Sequence, residues 1–255
     1  MNYFSQPNAA ERYAKGRPNF HGITVNNIKN FLKLENKVNN ALDIACSTGL
    51  SSQALLAISN NIYGTDSSQA MLNFALQKNK IKYQIAYAEV QPFEDGFFEL
   101  ITVGSGVHWF DIDKFLLEAH RLLQDKTWLV LYDNYFTGEM ENNIEFIDWY
   151  KTVYLKKFPA PLRNDSYDWT KANLVKKSFE FTYEEKFKNR VVFNMKELSL
   201  YFTTQSNIIS AVENKLVTYE EVENWLEDEL SKFFPKKNEE VIIYYDNWVK
   251  YIQKR

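Results

Sequence analysis

Five short apolar runs punctuate the first 135 residues, and helix-spaced patterns separate most of them. Ala41–Ala45, Ile62–Thr65, Tyr83–Tyr87, Leu100–Val103 and Trp128–Tyr132 each have the length and composition of a buried strand. Between them, Ser51–Ser59, Gln69–Asn79 and Ile112–Leu123 place apolar residues at helical spacing. Met71, Leu72, Ala75 and Leu76 do so in one, and Phe115, Leu116, Ala119, Leu122 and Leu123 in another. Parallel neighbours need long crossovers, and these are right-handed, so helices come to cover both faces of the sheet. The alternation therefore predicts a doubly wound, mostly parallel α/β sheet. Ligands bind such sheets beyond the carboxyl ends of the strands, so the loops that follow the strands are the places to look for chemistry.

After Asp133 the pattern changes. Glu141–Phe158 reads as one helix, and a loop with Pro159 and Pro161 follows. Phe187–Phe193 reads as a strand. Asn194 with Glu197, and Thr218 with Glu221, have the spacing of capping boxes that open two further helices. Val241–Tyr245 reads as a late strand, with Trp248–Ile252 as its continuation. No repeat or low-complexity linker interrupts the chain. The expected organisation is a single domain over 1–255, with a lid over 1–34 and a core over 35–135. A helical cap carrying one sheet strand near 187–193 would fill 136–238, and the final strand 239–255.

Charge narrows the partners. The formal net charge is −3, and the lysine pairs at 156–157, 176–177 and 236–237 are dispersed among acids, which disfavours nucleic acid. The lone Cys46 excludes an internal disulfide framework. The segment Met1-Asn2-Tyr3-Phe4-Ser5-Gln6 lacks the pattern of a signal peptide, and no apolar run approaches a membrane span. The expectation is a cytoplasmic protein, monomeric or homodimeric. His21, His108 and His120 lack metal-ligand spacing, so no metal site is expected. The aromatic share of 16% predicts either an aromatic-rich core or a pocket for flat groups.

Asp43, Ala45, Ser47 and Gly49 alternate at the end of the first strand. Small residues there let the backbone turn tightly and approach a ligand, and the next helix offers free N–H groups. The spacing G-x-G-x-x-G is absent, which argues against NAD and FAD, and so is a Walker loop. Asp66 ends the second strand. Its carboxylate suits the two hydroxyls of a ribose, or else caps the helix that begins near Ser67 and Ser68. The small-residue turn upstream favours the ribose.

Three stretches together resemble class I S-adenosylmethionine-dependent methyltransferases. They are Leu42-Asp43-Ile44-x-Cys46-x-Thr48-Gly49, Gly64-Thr65-Asp66-x-Ser68-x-x-Met71-Leu72, and Ala88-Glu89-x-x-Pro92-Phe93. Phe4, Ala9, Tyr13, Arg17 and Pro18 near the start, and Val107-His108-Trp109-Phe110-Asp111 after the fourth strand, are similar to the trans-aconitate methyltransferase-like group of the type 11 methyltransferase domain family.

The resemblance implies a Rossmann-like fold of seven strands, the last antiparallel. It also implies a small-molecule acceptor methylated on O or N, with a carboxylate as the group's own suggestion. S-adenosylmethionine would be the cofactor and S-adenosylhomocysteine the product. Ala45, Ser47 and Gly49 would line the methionine portion and Asp66 the ribose. Ser67, Met71, Ala88 and Glu89 would surround the adenine, and Gly104, Ser105 and His108 the region of the methyl group. Tyr13 and Arg17 would close over the cofactor.

Some positions depart from the group's pattern. Relatives usually carry glycine at 45 and 47, where a positive φ would make alanine and serine costly, and an acid where Tyr87 stands. The hydroxyl of Ser47 is one more group able to bond the cofactor directly.

His108 reads either as a general base or as an orienting group. Trp109 and Tyr135 are candidate substrate contacts, although an aromatic pair such as Trp109-Phe110 just after a strand is more often core. Arg163, Tyr167, Trp169 and Arg190 are weaker candidates for an anionic substrate. Glu118 falls on an expected exposed helix face. Two rival functions are a cofactor-binding protein without turnover and a methyltransferase acting on protein or nucleic acid.

Overall fold

A computed structural model describes residues 6–75, 81–163, 166–234, 236 and 239–255. Phe4 and Pro235, and the end of the helix expected over Gln69–Asn79, lie outside the described residues. The chain divides into two compact units. The core unit comprises Asn19–Asn134, Arg163–Phe187 and Asn247–Arg255, and the second unit Met1–Pro18, Tyr135–Leu162 and Lys188–Asp246. Of the segment expected as a lid over 1–34, the described residues 6–18 go with the second unit and 19–34 with the core.

The strands are β1 (Val38–Ile44), β2 (Ser59–Asp66), β3 (Lys82–Ile85), β4 (Phe98–Gly104), β5 (Leu123–Met140), β6 (Phe179–Asn194) and β7 (Glu240–Lys254). They form one sheet in the order β3-β2-β1-β4-β5-β7-β6. β1 pairs in parallel with β2 and β4, β2 with β3, and β4 with β5. β7 is the reversed strand. In the core unit Gln253 reaches the carbonyl of Lys126, and in the second unit Thr137 reaches that of Tyr244, so β5 and β7 run in opposite directions. Ser178 with Arg255, and Glu184 with Lys250, show the same reversal between β6 and β7. The fold is thus the expected doubly wound, mostly parallel α/β sheet with one antiparallel strand.

In the core unit, successive residues of the central strands alternate between two apolar clusters, as the two-residue strand period requires. Leu42, Ile44, Ile101, Val103, Leu129 and Leu131 pack on one face with Phe115, Leu116, Ala119 and Leu122 of a helix over Ile112–Leu122. Ala41, Leu100, Val130 and Tyr132 pack on the other with Val25 and Ile28 of a helix over His21–Phe31, and with Leu55 of a helix over Leu50–Leu55. That last helix is shorter than the expected Ser51–Ser59, because β2 already begins at Ser59.

The second unit holds most of the remaining helices. Pro7–Gly16 opens it. The single helix expected over Glu141–Phe158 starts later, at Ile144, where the Asn143 side chain accepts the N–H groups of Glu145 and Phe146. It widens into a π turn over Tyr150–Tyr154 before Leu155–Lys157. Both expected capping boxes are present, opening helices over Met195–Thr203 and Tyr219–Leu230. The aromatic share of the sequence is explained largely here. Phe136, Tyr150, Tyr201, Phe202 and Tyr245 form a network of ring contacts, continued through Trp149, Tyr154, Phe158, Trp225 and Phe233. Aromatic pairs prefer such edge-to-face and offset geometries, so these rings serve as core.

Candidate cofactor and active site

The turn after β1 is built on backbone that L-residues rarely adopt. Ala45, Ser47 and Gly49 have φ of 57°, 52° and 81°. For alanine and serine the left-handed region costs roughly 1–2 kcal/mol per residue, because Cβ crowds the following carbonyl. The turn persists because its neighbours hold it. Cys46 N–H donates to the carbonyl of Thr65, and Ser47 N–H donates to Asp66 Oδ2 at 2.9 Å.

Asp66 is the clamp between the two loops. Oδ2 takes the Ser47 N–H and Oδ1 takes that of Ser68 at 2.8 Å. Burial raises its pKa, and the N–H groups of Ser68, Ser47 and Ser67 oppose that rise. Asp66 therefore does cap the chain at Ser68, and it does more. A carboxylate has about four lone-pair sites, so the N–H groups it already accepts do not exhaust it, and as an acceptor it fits a ribose hydroxyl. Ser47 Oγ is 3.4 Å from Met71 Sδ.

Asp43, one turn earlier, is wholly buried. Its Oδ2 accepts from Ser51 and Ser52 at 2.6 Å each, and its Oδ1 from Thr102 at 3.1 Å. Burial nonetheless pushes its pKa up to about 6, the three hydroxyl donors only partly offsetting the loss of water. The folded value thus exceeds the unfolded one. Between pH ~4 and ~6 the native chain holds a proton that the unfolded chain has released, so this group's contribution to stability falls as pH rises through that window. In Asp43→Asn that dependence disappears. Chemical denaturation from pH 4 to 7 should show wild type losing about 2–3 kcal/mol relative to the variant. A difference that does not change with pH would count against the assignment.

Two glycines are fixed by one tyrosine. A Cβ at Gly49 would overlap the Tyr83 hydroxyl and come within 2.9 Å of Cζ, and one at Gly64 would lie 2.6 Å from the ring. Cys46 packs into the same cluster and its thiol is pushed well up by burial, so it is a core side chain and not a nucleophile.

The adenine-side candidates lie after β3. Ala88 is buried, while Ile85, Tyr87 and Val90 are exposed. Glu89 accepts the N–H of Asp111 at 2.8 Å, tying this loop to the start of the helix after β4. After β4, Ser105 has φ of 57°. A Cβ at Gly106 would sit 3.0 Å from that of Ala45, so the β1 and β4 loops approach closely. His108 lies on a single 3-10 turn over Val107–Trp109, its ring 4.7 Å from that of Trp109. Of the aromatic pair, Trp109 is 38% exposed whereas Phe110 packs into the core against Phe115. The Arg163 guanidinium lies 5.9 Å from the Trp109 ring centre.

Several candidates have other engagements. Arg17 and Tyr13 belong to the second unit, where the guanidinium donates to the carbonyl of Thr204 and stacks on the Tyr13 ring. Tyr135 begins the middle segment of that unit and is exposed. Arg190 pairs with Glu141 in the same unit. Tyr167 donates to Asp113, and with Trp169 it packs on the core cluster. Glu118 is not on an exposed face. It accepts the N–H of Gln91 and pairs with Arg121, which also reaches the carbonyls of Gln91 and Phe93.

Sequence reasoning missed three side chains. Tyr132 Oη is 3.0 Å from His21 Nδ1, and it would lie 2.7 Å from a Cβ at Gly104. Asn134 follows on the same face of β5. His21 was read only for metal spacing, and nothing in the chain's local pattern connects residue 21 to residue 132.

Comparison with known proteins agrees with the fold. Residues 42–131 match the profile of the family described as methyltransferase domain, the part of the chain holding the loops above. A candidate methyltransferase of Dictyostelium discoideum is 28% identical over 103 residues, 40% of this chain and 39% of that protein. The match therefore spans well under half of that curated relative. Among solved structures, a candidate type II methyltransferase from Anaeromyxobacter dehalogenans is similar with a TM-score of 0.68 at 15% identity, covering 93% of this chain and 96% of that one. An N-methyltransferase from Haemonchus contortus, solved with phosphomonomethylethanolamine and S-adenosylhomocysteine, has a TM-score of 0.53 at 14% identity. That alignment covers all of this chain and 60% of the other. Residues 42–131 are thus similar to the methyltransferase domain family, in a chain whose fold is similar to that of solved methyltransferases.

Proposed function

We propose that this chain transfers a methyl group from S-adenosylmethionine to an O or N atom of a small molecule. One observation carries the reading. The β1 loop, with left-handed backbone at three residues, is fastened through the Ser47 N–H to Asp66, whose carboxylate has both oxygens anchored. In this reading the backbone of Ala45, Ser47 and Gly49 holds the methionine portion and Asp66 the ribose. Ser67, Met71, Ala88 and Glu89 flank the adenine. Gly104 and Ser105 form the floor, and Trp109 offers its exposed indole to the acceptor.

The cofactor supplies a methyl group on a positively charged sulfur. The chain's own contribution is to hold an acceptor in line at near-attack distance. His108 accepts a proton from a hydroxyl or amine acceptor, whereas a carboxylate acceptor, ionised at neutral pH, needs no base. His108→Ala should lower turnover by roughly 10²–10⁴-fold while changing S-adenosylhomocysteine affinity less than twofold. Unchanged turnover would make His108 structural. Within the class, Tyr13, Arg17 and Pro18 with His108-Trp109-Phe110 support the trans-aconitate methyltransferase-like group.

Calorimetry with S-adenosylhomocysteine, followed by labelled-methyl transfer across acids, alcohols and amines, tests the reading. Absence of binding at millimolar ligand sinks it. Binding without transfer favours the second reading, a cofactor-binding protein without turnover, which the strained Ala45 and Ser47 support. Among the described residues no helix is long and apolar enough to cross a membrane.

A further inference from the structure

Asn134 is 7% exposed, and among the described residues neither its Oδ1 nor its Nδ2 has a hydrogen-bond partner. Buried polar groups in folded proteins are nearly always paired, and an unpaired carboxamide detracts from stability without adding packing that an apolar residue would not supply. Its backbone is well held, because the N–H donates to Asp133 Oδ1 at 2.8 Å with Ser105 Oγ 3.4 Å away. The side chain is thus fixed in place with its hydrogen-bonding capacity unspent.

Its position gives that capacity a use. Gly104, the last residue of β4, is opposite Tyr132 in the ladder, and Asn134 lies two residues beyond Tyr132 on the same face. The end of β4 and the stretch of β5 beside it therefore gather, on one face, a carboxamide, a phenol and the His21 imidazole bonded to that phenol. They do so beside Gly104 and Ser105, where the proposed function puts the methyl group.

Resting on that reading, we propose that Asn134 anchors the methyl acceptor, and that the acceptor presents a neutral edge with a donor beside an acceptor atom. An amide, a lactam, or a hydroxyl next to a carbonyl has such an edge. The carboxamide is itself a donor beside an acceptor, so this edge satisfies both of its atoms. A carboxylate offers acceptors alone. It would pair with Nδ2 and leave Oδ1 facing another electron-rich oxygen.

The test uses the full chain labelled with ¹⁵N, the Asn134 side-chain signal being identified by its loss in Asn134→Leu. Calorimetry with S-adenosylhomocysteine comes first, and failure there counts against the cofactor reading alone. Then 2-pyrrolidinone and acetate are titrated to tens of millimolar, with and without S-adenosylhomocysteine. The expected result is a saturable shift of the Asn134 signal with 2-pyrrolidinone and none with acetate. No shift with either probe, or a shift with acetate alone, overturns the proposal. Stability is the second measurement. A side chain kept for a ligand and not for the fold predicts that Asn134→Leu melts at or above the wild-type temperature, with S-adenosylhomocysteine affinity changed less than twofold. A fall of more than about 4 °C would make Asn134 a structural residue.

Discussion

Asp66→Ala is expected to weaken binding of S-adenosylhomocysteine by roughly 10²–10³-fold, the largest effect on affinity of any single change at the site. Hydrogen bonds to a charged group contribute about 1.5–3 kcal/mol each, and the proposed ribose would make two of them. Their partial redundancy with water places the sum near 3–4 kcal/mol, which is the stated range. The same substitution releases the Ser47 and Ser68 N–H groups that shape the β1 and β2 loops. A loss of affinity has for that reason to be separated from a loss of loop structure. Asp66→Asn provides the separation, since its remaining carbonyl oxygen still accepts from one loop while the carboxylate is gone. The control is Glu227→Ala, at an exposed position on the helix over Tyr219–Leu230, which should bind as wild type does. Equal affinities in the alanine variants at 66 and 227 would falsify the ribose assignment.

Gly49→Ala should be the most destabilising single-methyl change in this part of the fold, at about 3 kcal/mol. About 1–2 kcal/mol comes from placing a Cβ on backbone with φ of 81°. Overlap with Tyr83 adds a cost of the kind that overpacked cores show, typically 1–3 kcal/mol. The two costs share a single relaxation of the loop, so they should fall short of full addition. For a chain of this size the melting temperature should drop by roughly 6–12 °C. Tyr83→Phe removes the overlapping hydroxyl, so the double variant should recover part of the loss but not the backbone contribution. Full recovery would show that the left-handed geometry costs nothing there. No loss in the single variant would show that Tyr83 has room to move.

Much of the fold was legible because strand-helix alternation is a property of local pattern. β1 to β5 fall where the apolar runs predict them, and both capping boxes form because their side chains and backbone lie within one turn. The misplaced boundaries have local causes as well. The helix after β1 stops at Leu55 because β2 starts at Ser59, and the long helix of the second unit waits for the cap at Asn143.

The candidate site divides in the same way. The alternation of small residues from Asp43 to Gly49, and the carboxylate at the end of β2, are visible in the chain because each is set by a strand ending in a turn. The use of each group is not visible there. Sequence left Asp66 between capping a helix and meeting a ribose; the tertiary structure gives it both loops at once, since β1 and β2 are parallel neighbours whose ends coincide. It set the Ser47 hydroxyl beside Met71, paired Glu118 with Arg121, and sorted Trp109 from Phe110 by exposure.

What the sequence by itself determined is the doubly wound core and the loop at which to seek a cofactor. Only the tertiary structure decided that residues 45 and 47 occupy left-handed backbone, that Tyr83 forbids a side chain at 49 and 64, and that His21, Tyr132 and Asn134 gather beside the end of β4. The physical reason is range. Periodicity and capping act over a few residues and leave a trace in the string. A hydrogen bond between residues 21 and 132, or an unpaired carboxamide at 134, exists only once the sheet has brought distant segments together.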